Sequence, residues 1–228
     1  MRVLHPVTLR EKLVASGIYR YLRGGELLKG EEHFSIHELP DGSWFVRIDY
    51  DWRVLDGTSQ LIEALIDPLA SGGRFQRIVA QLHSPAGVAK ETMDFHADHV
   101  LIGISGLEAE RRDLEIPLTP NFQVVMLKTA LLGITASRWP GESGTPISAF
   151  GGYRSNDDKA LVFDAALTAL RQETVVVGDQ SIDARVVELT GEFTQTLWLD
   201  SAGIALKRVM GELVAELYSY SRRAESGT

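Results

Sequence analysis

The 228-residue chain contains no cysteine. Disulfides, thiolate metal sites and a thiol nucleophile are therefore excluded. Basic charge is scarce too: 23 Lys and Arg stand against 31 Asp and Glu, a formal net charge of −8. Nucleic-acid binders carry a basic stripe, whereas the densest basic groups here are the pairs Arg111-Arg112 and Arg222-Arg223. An anionic membrane surface is disfavoured on the same ground. No run approaches the roughly 18 apolar residues that span a bilayer, so no stable membrane anchor is expected. Met1–Lys12 spreads charges through its length and lacks an apolar core of signal-peptide size. The expected location is the cytoplasm, or the periplasm if a leader preceded the first residue.

What is present is ordinary for a globular domain: 44% hydrophobic and 24% charged residues. The length allows one core without covalent staples, so residues 1–228 are read as a single domain. Short apolar and alternating runs recur between Gly, Pro and Asp punctuation, as in a large antiparallel sheet. Candidate strands are 18–27, 31–39, 43–54, 60–66, 75–83, 90–95, 99–104, 147–153, 160–177 and 182–189. A three-strand meander over 193–220 follows, its first two strands joined by Asp200-Ser201-Ala202-Gly203. The alanines and leucines of 160–170 fit a helix as well as a strand. Residues 224–228 are read as a frayed tail.

Residues 120–134 form the expected exception. Thr119 suits an N-cap, Pro120 a first helical position, and Gly133 lies near the end. Apolar residues from Phe122 through Leu132 cover most of the circumference, so this helix is expected inside the hollow of the sheet. The fold class that follows is mainly β: a strongly curved antiparallel sheet, a half-barrel or partly closed barrel, wrapped around a central helix.

Two stretches carry a resemblance. Tyr19–Glu32, with Gly24-Gly25 and the step Gly30-Glu31, is similar to the start of a bacterial family of unknown function, DUF3108. Leu197–Ile204, with its Trp198-Leu199-Asp200 turn, and Gly211–Leu217 resemble that family's end. The resemblance implies the half-barrel of lipoprotein carriers (LolA- and LolB-like), in which a curved sheet wraps a helix and holds acyl chains. Those carriers are exported, and this chain shows no export signal. The resemblance transfers no catalytic residue.

The hairpin around Pro40-Asp41-Gly42 holds the densest chemistry. After it, Trp44, Val46, Ile48, Tyr50 and Trp52 share one face and Phe45, Arg47, Asp49 and Asp51 the other. A two-residue loop would set Phe34 and Ile36 beside Asp49 and Arg47. A three-residue loop with a glycine bulge sets apolar beside apolar and is preferred. That register gathers His33, His37, Arg47, Asp49 and Asp51 on one face. Such a set reads either as a solvated outer face with ion pairs or as an acid–base site.

No other motif carries chemistry. Asp94–His99 holds two His and two Asp but reads as a turn, so no metal and no cofactor are expected. Gly103-Ile104-Ser105-Gly106 falls short of a nucleophile elbow. Trp44, Tyr50, Trp52, Trp198, Phe122 and Met126 are the candidates to line an apolar cavity. The leading expectation is a binder of an apolar, lipid-like or aromatic small molecule in the concave cavity. A cofactor-independent lyase, isomerase or hydratase using His33, His37, Arg47 and Asp49 is the alternative. A third reading is a structural subunit that forms a homodimer through sheet edges. The residues alone do not select between binding and catalysis.

Overall fold

The computed structural model describes residues 1–68, 72–106, 109–154 and 159–223; the expected tail at 224–228 lies outside them. The first half of the chain forms β1 (Lys12–Arg23), β2 (Glu26–Glu38), β3 (Trp44–Trp52), a helical turn α1 (Arg53–Asp56), β4 (Thr58–Ile66), β5 (Phe75–Ser84), β6 (Gly87–Phe95), β7 (His99–Gly106) and β8 (Ala109–Pro117). The second half forms β9 (Gln123–Val124), α2 (Thr129–Ser137), β10 (Ile147–Arg154), β11 (Lys159–Val177), β12 (Gln180–Thr190), β13 (Gln195–Leu199), β14 (Ala205–Met210) and β15 (Leu213–Arg222).

Among the described residues the strands form one sheet in the order β8 to β1, then β15 back to β9. All neighbours are antiparallel except the short β9–β10 pair. Pairing of β1 with β15 places the two ends of the zigzag side by side, leaving β8 and β9 as free edges. The sheet curls strongly but does not close. The curl brings its two limbs into contact: the Phe95 ring of β6 lies 6.2 Å from Phe122 and 5.9 Å from Phe150 of β10.

Strand register explains the core. Ile36, Val46, Ala64, Ile78, Met93 and Ile102 stand opposite one another in turn across β2 to β7, and each is almost completely buried. Burying one such large side chain is worth about 1.5–3 kcal/mol. This apolar stripe is the inner face. The expected hairpin loop is present: Leu39 and Ser43 pair across Pro40-Asp41-Gly42, and Gly42 adopts φ 84°. Phe34 consequently faces Ile48, and His33 faces Asp49. The Asp200–Gly203 turn has the same form, with Gly203 at φ 82°.

Helix α2 lies within the hollow, with every residue from Thr129 to Ala136 buried. The expected start at Pro120 is corrected. Asn121 takes φ 68° in a turn closed by Phe122 N–H to Thr119 O, and Gln123–Val124 pair with β10. The helix therefore begins nine residues later. Gly133 is not a terminator but a close-approach point: a Cβ there would sit 2.7 Å from the Ala205 backbone nitrogen. Residues 160–170 are strand, within the long β11. Strand β8 had no counterpart among the expected elements; its sequence Ala109–Pro117 is mostly charged, which hides the strand pattern.

Candidate ligand site at the open end of the sheet

The polar face of the β2–β3 hairpin lies beneath a strap, residues 1–11, that crosses the outside of the sheet. Arg2 donates from Nη2 to Asp49 Oδ1 at 2.6 Å and from Nη1 to Ser59 Oγ at 3.1 Å. His5 meets Glu63 through its backbone N–H (2.8 Å) and its ring (2.5 Å). Glu11 takes both terminal nitrogens of Arg47, at 2.6 and 3.1 Å. His37 stands 3.5 Å from Glu11.

His37, Arg47 and Asp49 are thus buried and engaged, not solvated. The expectation of a solvated outer face is corrected, because the strap supplies the missing cover. Arg47 holds the Glu11 carboxyl below its ordinary range, and burial lowers the His37 pKa. His33 remains partly exposed, bonded to Glu31 at 2.9 Å. It opens on a separate groove with Leu27, Leu28 and Val54.

The expected apolar-site residues do not converge on one point. Trp44 opens β3 whereas Tyr50 and Trp52 close it, so they lie at opposite ends of the hollow. Tyr50 and Trp52 stack at 5.2 Å, and Tyr21 packs edge-on against both. The Lys128 ammonium sits 3.5 Å above the Tyr50 ring. Burial pulls the Lys128 pKa down to about 8, against the opposing pull of Glu32. Trp198 projects from the face opposite Leu197 and Leu199, which pack with Leu132 and Ala136 of α2. It lines an outer depression beside Leu206 and Lys207. Met126 packs on the core near Gly152.

At the Trp44 end, where α2 stops, two cavities meet. One, of about 360 Å³, has Phe75, Phe95, Phe122, Val124 and Pro140 on its apolar side and Asp67, Arg74, Gln76, His96, Asn121 and Gln123 on its polar side. The other is an open groove of about 820 Å³ lined by Val14, Trp44, Leu199 and Ala202, with Arg185, Arg222, Glu38 and Asp183 at its polar positions. Arg138, the residue after α2, lines both. Its guanidinium lies 4.3 Å over the Trp44 ring, and Nη1 reaches the Gly73 carbonyl only at 3.5 Å. Gly73 is needed there: a Cβ would come within 2.8 Å of the Arg138 stem. Burial pulls the Arg138 pKa down to about 10. No carboxylate pairs with it among the described residues. The chamber thus pairs a wall of three phenylalanines with a polar rim that holds two guanidiniums, Arg138 and Arg74, the latter bonded to Asn121 Oδ1 at 2.8 Å. Such a site suits an apolar molecule bearing a polar end.

Of the residues expected to bind, Trp44 and Phe122 belong to this place. Arg138, Phe75 and Phe95 were not foreseen. Phe75 and Phe95 stand at the ends of β5 and β6 and Arg138 follows α2, so no sequence signal joined them. At the β6–β7 turn His96 and His99 stack at 4.3 Å and Asp98 pairs with His99. Among the described residues no three His, Asp or Glu side chains are grouped to share an ion.

Comparison with known proteins places the fold. A β-barrel-like protein from Brucella abortus, a domain of unknown function designated DUF1849, superposes with a TM-score of 0.62. The match spans 94% of this chain and 100% of that one at 14% identity. A DUF1089-family protein from Pseudomonas aeruginosa gives a TM-score of 0.48 at 14% identity, over 77% of this chain and 87% of that one. MucB gives 0.36 at 14% identity, over 96% and 56%. No family model and no curated protein matches the sequence. The chain is similar in fold to a barrel-like protein of unknown function, and the resemblance to DUF3108 is not supported. The short glycine turns that carried it are general features of antiparallel hairpins.

Proposed function

We propose that the protein binds a small apolar molecule, lipid-like or aromatic, at the open end of its curled sheet. The observation that carries this reading is the chamber walled by Phe75, Phe95 and Phe122, which shares Arg138 with the wider Trp44 groove. Its volume of about 360 Å³ lies within the range of small-molecule sites, roughly 300–1,000 Å³. The chamber forms where the two limbs of the sheet approach without pairing, and three aromatic rings are left facing one space.

The catalytic reading of His33, His37, Arg47 and Asp49 has less support. Arg47 and Asp49 are held by Glu11 and Arg2, which leaves little of either free for a substrate. Mass spectrometry of the purified protein under native conditions tests the binding reading. A retained apolar molecule, lost on Phe95→Ser substitution, is the expected result. A bare polypeptide mass together with no uptake of added decanol would refute it.

A further inference from the structure

We infer that Arg138 is an anion anchor, and that the molecule held at the open end is an amphipathic carboxylate. This rests on the reading of the open end as an apolar site and adds the chemistry of the ligand's head. The tail would enter the chamber of Phe75, Phe95 and Phe122, with the carboxylate lying against the guanidinium.

The argument begins from what the protein's other desolvated guanidiniums do. Arg47 spends two nitrogens on Glu11. Arg208 donates to Gln195 Oε1 at 2.7 Å and to the Leu127 carbonyl at 2.9 Å. Arg2 makes a fork to Asp49. Arg138 is half-buried as well, yet among the described residues its five N–H donors find one protein acceptor, at 3.5 Å. A half-buried guanidinium without a protein partner leaves its donors to solvent, so an acceptor arriving from outside displaces water and not a protein group. The Trp44 ring, 4.3 Å away, packs against the guanidinium, and a planar fork is the partner a carboxylate fits best.

The same groove carries Glu38, Asp183 and Asp200 beside Arg185, Arg222 and Arg223, so these groups balance and Arg138 supplies the surplus positive charge that a single carboxylate neutralises. The guanidinium stands at the border of the apolar chamber, and its nitrogens are not among the sealed, unpartnered polar atoms of the interior. An incoming head can therefore reach it while the tail is buried.

Decanoate and decanol share a tail and differ in the head, and both can be titrated into the full chain by calorimetry. The expected result is that decanoate binds about tenfold tighter or more, and that added salt narrows the gap. Arg138→Gln should bring decanoate affinity down to that of decanol, and Arg138→Lys should restore part of the gap. Equal affinity of the native protein for both probes would overturn the anion anchor while leaving the apolar site standing. So would a preference that survives in a folded Arg138→Gln protein. Failure of both probes to bind would overturn the apolar reading and this inference together. Should Arg138→Gln not fold, the native protein's preference and its salt dependence still decide the matter.

Discussion

Glu32 Oε1, on β2, accepts the backbone N–H of Ala130 in α2 at 3.0 Å. Its other oxygen takes the Thr129 N–H at 3.2 Å and the Tyr21 phenol at 2.5 Å. Lys128, at the N-cap, offers no side-chain bond to the helix, so a strand residue nearly one hundred positions earlier performs the capping. A carboxylate there also meets the positive end of the helix dipole. Helix position, and with it the placement of Arg138 at the far end, depends on this contact.

Glu32→Ala would leave the Thr129 and Ala130 amides without an acceptor and the Tyr21 phenol with its 3.3 Å contact to Thr129 Oγ1 alone. At about 1–3 kcal/mol for each unsatisfied buried group, a loss of about 3–5 kcal/mol is expected after partial relaxation. Urea unfolding measures it. A midpoint close to that of the native protein would show that the helix is held by packing alone.

The strap gives a second prediction. Arg47 is 2% exposed and depends on Glu11 for its charge balance. Removing one partner of a buried pair costs several kcal/mol, so Glu11→Ala should destabilise by about 3 kcal/mol. The pH dependence has a definite sign. Arg47 lowers the Glu11 pKa below 4.5, so its contribution is present above that value and lost as pH falls through the lower folded value. Burial lowers the His37 pKa below 6.5, so the unfolded chain takes its proton first, and stability falls as pH drops below 6.5. The stability difference between the native protein and Glu11→Gln should shrink as pH falls from 8 to 4, a comparison in which the contributions of other groups cancel. A difference that does not change with pH would mean that the Glu11–Arg47 pair contributes nothing.

Glu91 behaves in the opposite sense. Burial on β6 raises its pKa from 4.5 to about 7, and Oε1 is sealed from water without a hydrogen-bond partner. Its register neighbours on the inner face are Ala80 and Ile104. The folded protein keeps this proton where the unfolded chain has lost it, so stability is full below pH 4.5 and falls as pH rises through about 7. Glu91→Gln should leave stability unchanged at pH 4 and raise it at pH 8, by up to about 3 kcal/mol. Thermal melts at the two values provide the comparison. Equal effects at both would contradict a neutral buried carboxyl.

Much of the fold was legible because it rests on local chemistry. Pro40-Asp41-Gly42 specifies a three-residue loop, and the alternation from Trp44 to Trp52 specifies which side faces the core. Together they give the register of His33 opposite Asp49 and Phe34 opposite Ile48. The helix start was misplaced because Thr119-Pro120 suits a turn as well as a helix. Only contact with β10 sends Gln123–Val124 into a strand.

The site was harder to read because its parts are distant in sequence. Phe75, Phe95, Phe122 and Arg138 come from β5, β6 and two loops, and meet only because the sheet curls. Likewise, nothing in residues 1–11 announces that they will bury Arg47 and Asp49. That cover is a matter of tertiary ion pairs, which leave no periodic trace.

The central claim is that the open end, not the outer groove, takes the ligand. Backbone amide NMR of the full chain titrated with decanoate tests it most directly. The account predicts shift changes concentrated at Trp44, Phe75, Phe95, Phe122 and Arg138, with Arg2, Leu27, His33 and Val54 unmoved. Saturable changes confined to Leu27, His33 and Val54, or no saturable change at any site, would contradict it.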